Sequence, residues 1–210
     1  YAMLAMIFFG KVFDLYGVKY WVKIFVILGV YFGSNWFYYA CWESSLSHTY
    51  SVAFMAIFWY YALRFKENPT VRLAIVIGLL VGFITLIRPV NVLVVLFLPM
   101  LFTSWSIFWK FFTEKILNWK IVVSTLLASG AVVSLQLFVY KAQIGQWFIY
   151  AYSQERFYFL DPHMFDFLFS FRKGFFVYTP IFILSVLGLY SWYQKSKFQA
   201  LWWLGTFVLI

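Results

Sequence analysis

A chain of 210 residues that is 65% hydrophobic and only 11% charged carries more apolar side chain than one water-soluble core of that size can bury; soluble domains average about 45–50% and about 25%. The net charge of +9 does not indicate a nucleic-acid groove, because the basic residues stand in small clusters between apolar runs and not in one patch. The single cysteine, Cys41, excludes an intrachain disulfide and carries no information about redox compartment.

Charges cut the sequence into eight uncharged stretches: Tyr1–Gly10, Ile24–Trp42, Ser44–Leu63 (with one histidine), Leu73–Ile87, Pro89–Trp109, Ile121–Tyr140, Gly174–Gln194 and Phe198–Ile210. The internal ones approach the roughly 20 residues that a bilayer-crossing helix needs. Backbone polar groups in lipid must be satisfied within the segment, so these stretches are expected to be helices. The predicted fold is all-α: a polytopic transmembrane bundle of about eight spans, the first and last truncated. Residues 1–210 then form one transmembrane domain, an internal fragment of a longer protein. Residues 141–173 form its long extracytoplasmic interfacial loop. The 26% aromatic content suits a chain that meets the membrane–water boundary many times.

Alternate loops collect the basic residues. Lys11, Lys19, Lys23, Arg64, Lys66, Arg72, Lys110, Lys115, Lys120, Lys195 and Lys197 fall on one side, 11 of the 16. The positive-inside rule assigns that side to the cytoplasm and predicts a multi-pass protein of the inner (plasma) membrane. Glu43, His48, Arg88, Asn91, Glu155, Arg156, Asp161, His163, Asp166, Arg172 and Lys173 fall on the opposite side. Both histidines and four of the seven acids are among them, a mixture better suited to a site than to a topology signal.

Three groups on the outer side carry chemical potential. In the run Glu43 to Ser51, a helix starting near Ser44 would put Ser44, Ser47, His48 and Ser51 on one face. That polar stripe either lines a cavity for a polar substrate or packs against a neighbouring helix, as small polar residues do in membranes. Arg88-Pro89-Val90-Asn91 ends the fourth stretch with a guanidinium at the interface. It can pair with an anionic group such as a lipid phosphate, or snorkel to headgroups. In the long loop, Phe165, Phe167, Phe169 and Phe171 recur with period two and would all face one way in an extended segment. Arg172-Lys173-Gly174 follows, where two cations and a glycine could close on a phosphate or could anchor the chain at the interface. Phosphate-loop, dinucleotide and zinc-protease motifs are absent, and two distant histidines do not make a zinc site.

Taken in order, three pieces resemble the GT-C-fold membrane glycosyltransferases, in particular the bacterial enzymes related to protein mannosyltransferases. They are Ser47-His48-Thr49-Tyr50-Ser51; Gly78-Leu79-Leu80-Val81-Gly82 leading to Ile87-Arg88-Pro89-Val90-Asn91; and Ser170-Phe171-Arg172-Lys173-Gly174-Phe175-Phe176 leading to Tyr178-Thr179-Pro180 and Leu187-Gly188-Leu189. The resemblance implies transfer of a sugar from a polyprenyl-phosphate carrier to an acceptor outside the cytoplasm. Its partners would be that lipid-linked donor and membrane lipids, with no nucleic acid, no metal and no cofactor. Arg88, Arg172 and Lys173 become candidates for the lipid phosphate. Glu43, His48, Asn91, Asp161, His163 and Asp166 become candidates for contacts to sugar or acceptor. The family's catalytic carboxylate lies in its first outer loop, which is expected upstream of Tyr1. Phe171-Arg172-Lys173 departs from the pattern, which has proline and a second polar residue near the arginine. Polysaccharide polymerases or ligases, and transporters or flippases of lipid-linked sugars, are the alternative readings.

Overall fold

The structure is a computed structural model that describes residues 1–149, 163–172 and 174–209. Those residues build helices, with no strand among them. In chain order the α-helices are α1 (Ala2–Leu15), α2 (Tyr20–Gly33), α3 (Asn35–Cys41), α4 (His48–Glu67), α5 (Val71–Ile87), α6 (Trp105–Phe111), α7 (Trp119–Ile144), α8 (Met164–Phe169), α9 (Phe175–Tyr178), α10 (Ile183–Lys195) and α11 (Lys197–Leu209). Pro89–Leu101 is a long 3-10 helix, and Phe112–Ile116 continues α6 as a π turn.

Side-chain contacts give the directions of the helices. α1 and α4 run parallel: Tyr1 meets Tyr50, Phe8 meets Tyr60, and Val12 packs with Ala62 and Leu63. α5 and α7 also run parallel, because Gly78 lies on Thr125 and Ala128 while Gly82 lies on Ser129 and Val132. The 3-10 helix follows α4, with Asn91 bonded to Ser51 and Leu101 bonded to Lys66. α11 returns against it. Consequently 64–72, 101–120 and 195–199 gather at one end of the bundle, and 48–51 with 87–91 at the other. The α1–α2 turn is closed by Lys23 on Asp14 at 2.6 Å, around Gly17 in the left-handed region.

Small residues let α5 approach α7. A Cβ on Gly82 would stand 2.7 Å from the Val132 Cβ, and one on Gly78 would overlap the Thr125 backbone. The spacing Gly78-x-x-x-Gly82 is the small-residue pattern that brings helix backbones together in lipid. Thr125 adds a hydroxyl donated to the Ala74 carbonyl at 3.3 Å.

The 13-residue 3-10 helix far exceeds the usual three or four residues of that conformation. Pro89 starts it and Pro99 lies inside it. Pro99 has no N–H to give the Leu96 carbonyl. The indole of Trp202 on α11 donates to that carbonyl instead, at 2.8 Å. Gln199 donates to the Met100 carbonyl at 2.7 Å, and Lys66 to the Leu101 carbonyl at 2.6 Å. Three side chains thus satisfy carbonyls that the segment's own backbone leaves open. Trp202→Phe is expected to strand the Leu96 carbonyl and to cost about 1–3 kcal/mol. Thermal unfolding in detergent measures this, with Trp203→Phe as the aromatic control.

α7 has 26 residues, and its most apolar 18-residue stretch has a mean hydropathy of 2.0, long and apolar enough to cross a membrane. Two further crossings exist if each bent pair is one span: α2 with α3, bent by 71°, and Pro89–Leu101 with Trp105–Ile116, bent by 109°. Straight helices were expected over Ile24–Trp42 and Pro89–Trp109. The first breaks at Ser34, whose backbone is extended and whose hydroxyl donates to the Val30 carbonyl while accepting from Trp36 N–H. The second breaks before Ser104, which caps α6 in the same way. Side-chain oxygens that compete for backbone groups are the physical cause of both breaks.

Three more expectations are corrected. Gly174–Gln194, expected as one span, is divided into α9, a 3-10 turn at Pro180–Phe182 and α10, because Pro180 cannot continue α9. The helix at the polar run starts at His48 and not at Ser44, so Ser44 leaves the stripe. Phe165, Phe167 and Phe169 lie in α8, where the Phe165 and Phe169 rings meet at i,i+4, tilted by 42° with centroids 5.3 Å apart; they do not form an extended face. The chain exposes 14,410 Å², whereas a water-soluble monomer of 25.0 kDa exposes about 10,000 Å². Much of the excess is apolar: Leu126, Leu127 and Phe138 of α7 are all exposed, as lipid-facing residues would be.

Candidate functional site

The outer turn of α5 fixes the first cation. Arg88 precedes Pro89, which disfavours helical backbone there, and Arg88 is extended at φ −155, ψ 122. Its carbonyl accepts from Asn91 N–H at 2.9 Å. Asn91 then donates its side-chain amide to the Ser51 hydroxyl at 2.9 Å, and Ser51 donates to the Ser47 carbonyl at 2.9 Å. This chain ties the Arg88 turn to the first turn of α4, where His48 sits. Arg88 and Glu43 both lie within electrostatic reach of the His48 imidazole. Tyr38 donates to Glu43 Oε1 at 3.0 Å. Tyr39 lies against the His48 ring, with centroids 4.4 Å apart. The bend at Ser34 is what turns α3 across the end of α4 and delivers both tyrosines.

A cavity of about 470 Å³ opens beside His48. Ser34, Tyr39, His48, Gly174, Tyr178 and Thr179 are among its lining residues. Gly174 makes the junction possible, since a Cβ there would stand 2.5 Å from both the nitrogen and the oxygen of Ser170. Its N–H bonds the Ser170 carbonyl at 2.7 Å. Phe167 stacks on Phe175, and Tyr178 donates to the Phe171 carbonyl at 3.1 Å. Arg172, exposed, is held in this same turn by its N–H on the Ser170 hydroxyl at 3.1 Å.

Of the described candidate site residues read from the sequence, only His48 lines this cavity. Asn91 is tied to Ser51 in the first turn of α4, Arg88 and Glu43 act on His48 electrostatically without lining the cavity, and Arg172 lies two residues before Gly174 at its wall. His163 and Asp166 pair with each other at 3.7 Å at the start of α8, both exposed, with His163 in the left-handed region at φ 42. Lys173, Asp161, Glu155 and Arg156 lie outside the described residues. Sequence reasoning missed Ser34, Tyr38, Tyr39 and Thr179. The dipeptide Ser34-Asn35 inside an apolar run was the available signal for Ser34. Trp36 also lines the cavity, and its indole N–H is buried without a partner among the described residues.

The site offers a guanidinium, an imidazole, a carboxylate and several hydroxyls at one end of an apolar bundle. Such a set can neutralise an anion and hydrogen-bond a polyhydroxylated ligand. Among the described residues no group of three or more His, Cys, Asp and Glu is arranged to hold a metal ion. No family model, curated protein or solved structure matches this chain.

Proposed function

We propose that this chain belongs to a multi-pass membrane glycosyltransferase that moves a sugar from a polyprenyl-phosphate donor to an acceptor on the extracytoplasmic side. The supporting observation is the Glu43–His48–Arg88 cluster beside a 470 Å³ cavity whose far wall starts at Gly174, next to Arg172. In such a reaction the acceptor hydroxyl attacks the anomeric carbon, and the bond from that carbon to the phosphate oxygen breaks. The electron pair leaves with the lipid phosphate, which gains negative charge. Arg88 and Arg172 are the groups for that charge, where fixed donors count for more than they do in water. Glu43 and His48 would hold sugar or acceptor hydroxyls. The hydroxyl proton passes to a general base that takes it as the acceptor attacks. The test is direct: full-length protein in membrane vesicles, given radiolabelled polyprenyl-phosphate sugar, should move label into a non-lipid fraction. Retention of all label in the lipid would refute the reading.

The bent helices α2–α3 and Pro89–Ile116 are a feature that a flippase of lipid-linked sugars would share. Both bends sit toward the ends of the bundle, at Ser34 and before Ser104, and not at its middle, which favours the transferase.

In this reading the end carrying Lys66, Arg72, Lys115 and Lys120 faces the cytoplasm. With Cys41 replaced, a cysteine at Glu67 should resist a membrane-impermeant maleimide in intact cells, while one at Ser45 reacts. Labelling at Glu67 from outside would invert the scheme.

A further inference from the structure

At the end opposite His48 lies a second, partly open cavity, of about 250 Å³, between α4, α5, α6, α7 and the 3-10 helix. Phe58, Ala62, Ala74, Val95, Leu98 and Ile121 form its walls. Thr125 also reaches the wall, but its hydroxyl is engaged by the Ala74 carbonyl. A cavity of this kind excludes water and accepts hydrocarbon: an apolar void of about 150 Å³ already takes up benzene. One charged side chain lines it. The exposed Lys66 ammonium lies over the Phe102 ring at 5.1 Å and donates to the Leu101 carbonyl.

Further exposed cations flank the same end. Arg72 is two residues before Ala74, Lys115 is next to Ile116, and Lys120 is next to Ile121, and all three apolar residues line the cavity. The acids nearby are engaged elsewhere: Glu67 pairs with Arg64 at 3.6 Å and Glu114 with Lys110 at 3.9 Å. An apolar interior with a cationic mouth is complementary to one kind of ligand, a single hydrocarbon chain ending in an anionic head. We infer that this cavity is a binding site for one acyl chain of an anionic phospholipid, with its phosphate at Lys66. The inference rests on the bundle lying in a membrane and is independent of sugar transfer.

The probe is phosphatidylglycerol, titrated into purified full-length protein in mild detergent and counted by native mass spectrometry against phosphatidylcholine. Wild-type protein should retain one phosphatidylglycerol in preference to phosphatidylcholine. Lys66→Gln should reduce that preference about two- to fivefold, the range of an exposed ion pair. Ala62→Phe fills the cavity and should weaken retention about tenfold or more, through loss of buried apolar area, without lowering Tm. Val95→Phe fills it from the facing wall and serves if Ala62→Phe fails to fold. Equal retention in wild type and a folded filled variant, or no preference for phosphatidylglycerol, would overturn the inference. Should neither variant fold, competition on wild-type protein decides. Single-chain lysophosphatidylglycerol must displace the bound lipid where glycerophosphoglycerol, which has no chain, does not; failure to displace overturns the site. Sugar transfer is a separate readout, so wild-type protein that transfers sugar but shows no preferential phosphatidylglycerol binding refutes this site alone.

Discussion

Arg88→Lys should lower sugar transfer by about 10²-fold at matched expression, and Arg88→Ala by up to about 10³-fold, the range for removing one donor aimed at transition-state charge. The reason is geometric as well as electrostatic. Arg88 sits on an extended residue locked by Pro89 and braced through Asn91 and Ser51 to α4. Its side chain therefore leaves the backbone in a fixed direction. A guanidinium presents a planar fork to two phosphate oxygens, and an ammonium presents a single point of charge. A cation that merely anchors the helix in headgroups would be replaced by lysine without loss. Lys110→Ala supplies the comparison, because Lys110 is exposed and pairs only at 3.9 Å with Glu114, a contact of little energetic weight. Transfer at the wild-type rate by Arg88→Lys protein would remove the basis for a phosphate clamp. The assay is initial rate against donor concentration in vesicles.

Gly78→Leu should prevent stable assembly of the bundle. Its Cβ alone overlaps the Thr125 backbone, and the isobutyl group would then meet Ala128. α7 can yield only by moving away, which opens the Thr125–Ala74 hydrogen bond and the contacts at Gly82. Overpacking of this kind costs about 1–3 kcal/mol, and more where the obstacle is backbone, against total stabilities of about 5–15 kcal/mol. Gly130→Ala is the internal control. It lies on α7 with open space at the Cβ position, so alanine should be neutral or stabilising by up to about 1 kcal/mol through helix propensity. Unfolding midpoints in detergent separate the two, and equal midpoints would mean that α5 and α7 do not meet through these glycines.

Much of the helical layout is readable from the sequence because apolar length is a local property. Leu73–Ile87 and Ile121–Tyr140 correspond to α5 and α7 within a few residues, whereas Gly174–Gln194, expected as one span, is divided at Thr179-Pro180 into α9 and α10. The breaks were not readable in the same way. Ser34 can complete a helix or cap the next one, and the sequence alone does not say which; in the structure Ile181 packs close against Gly33, where a Cβ would stand 3.0 Å from its side chain. Phe165 to Phe171 fit a period of two on paper. The tilted contact of Phe165 with Phe169 and the stacking of Phe167 on Phe175 favour the helix instead. At the site, Arg88, His48 and Asn91 stood out because charge and amide are rare in apolar runs. Tyr38 and Tyr39 were hidden among 16 tyrosines, and only the bend that folds α3 over His48 distinguishes them.

The 3-10 conformation of Pro89–Leu101 has a consequence for the fit of the bundle to a bilayer. Its 13 residues rise about 2.0 Å each and reach about 26 Å. The 17 residues of α5, at about 1.5 Å each, reach about the same distance. A stretched segment thus keeps pace with a neighbour four residues longer, and both match the apolar thickness of a slightly thin membrane. Three residues per turn also line Val95, Leu98 and Leu101 up in one file, all three on the wall of the inner cavity. Re-forming this segment as an α-helix would shorten it by about 6 Å and rotate that file off the cavity. The segment therefore works as a spacer whose length depends on the three carbonyl contacts from Trp202, Gln199 and Lys66.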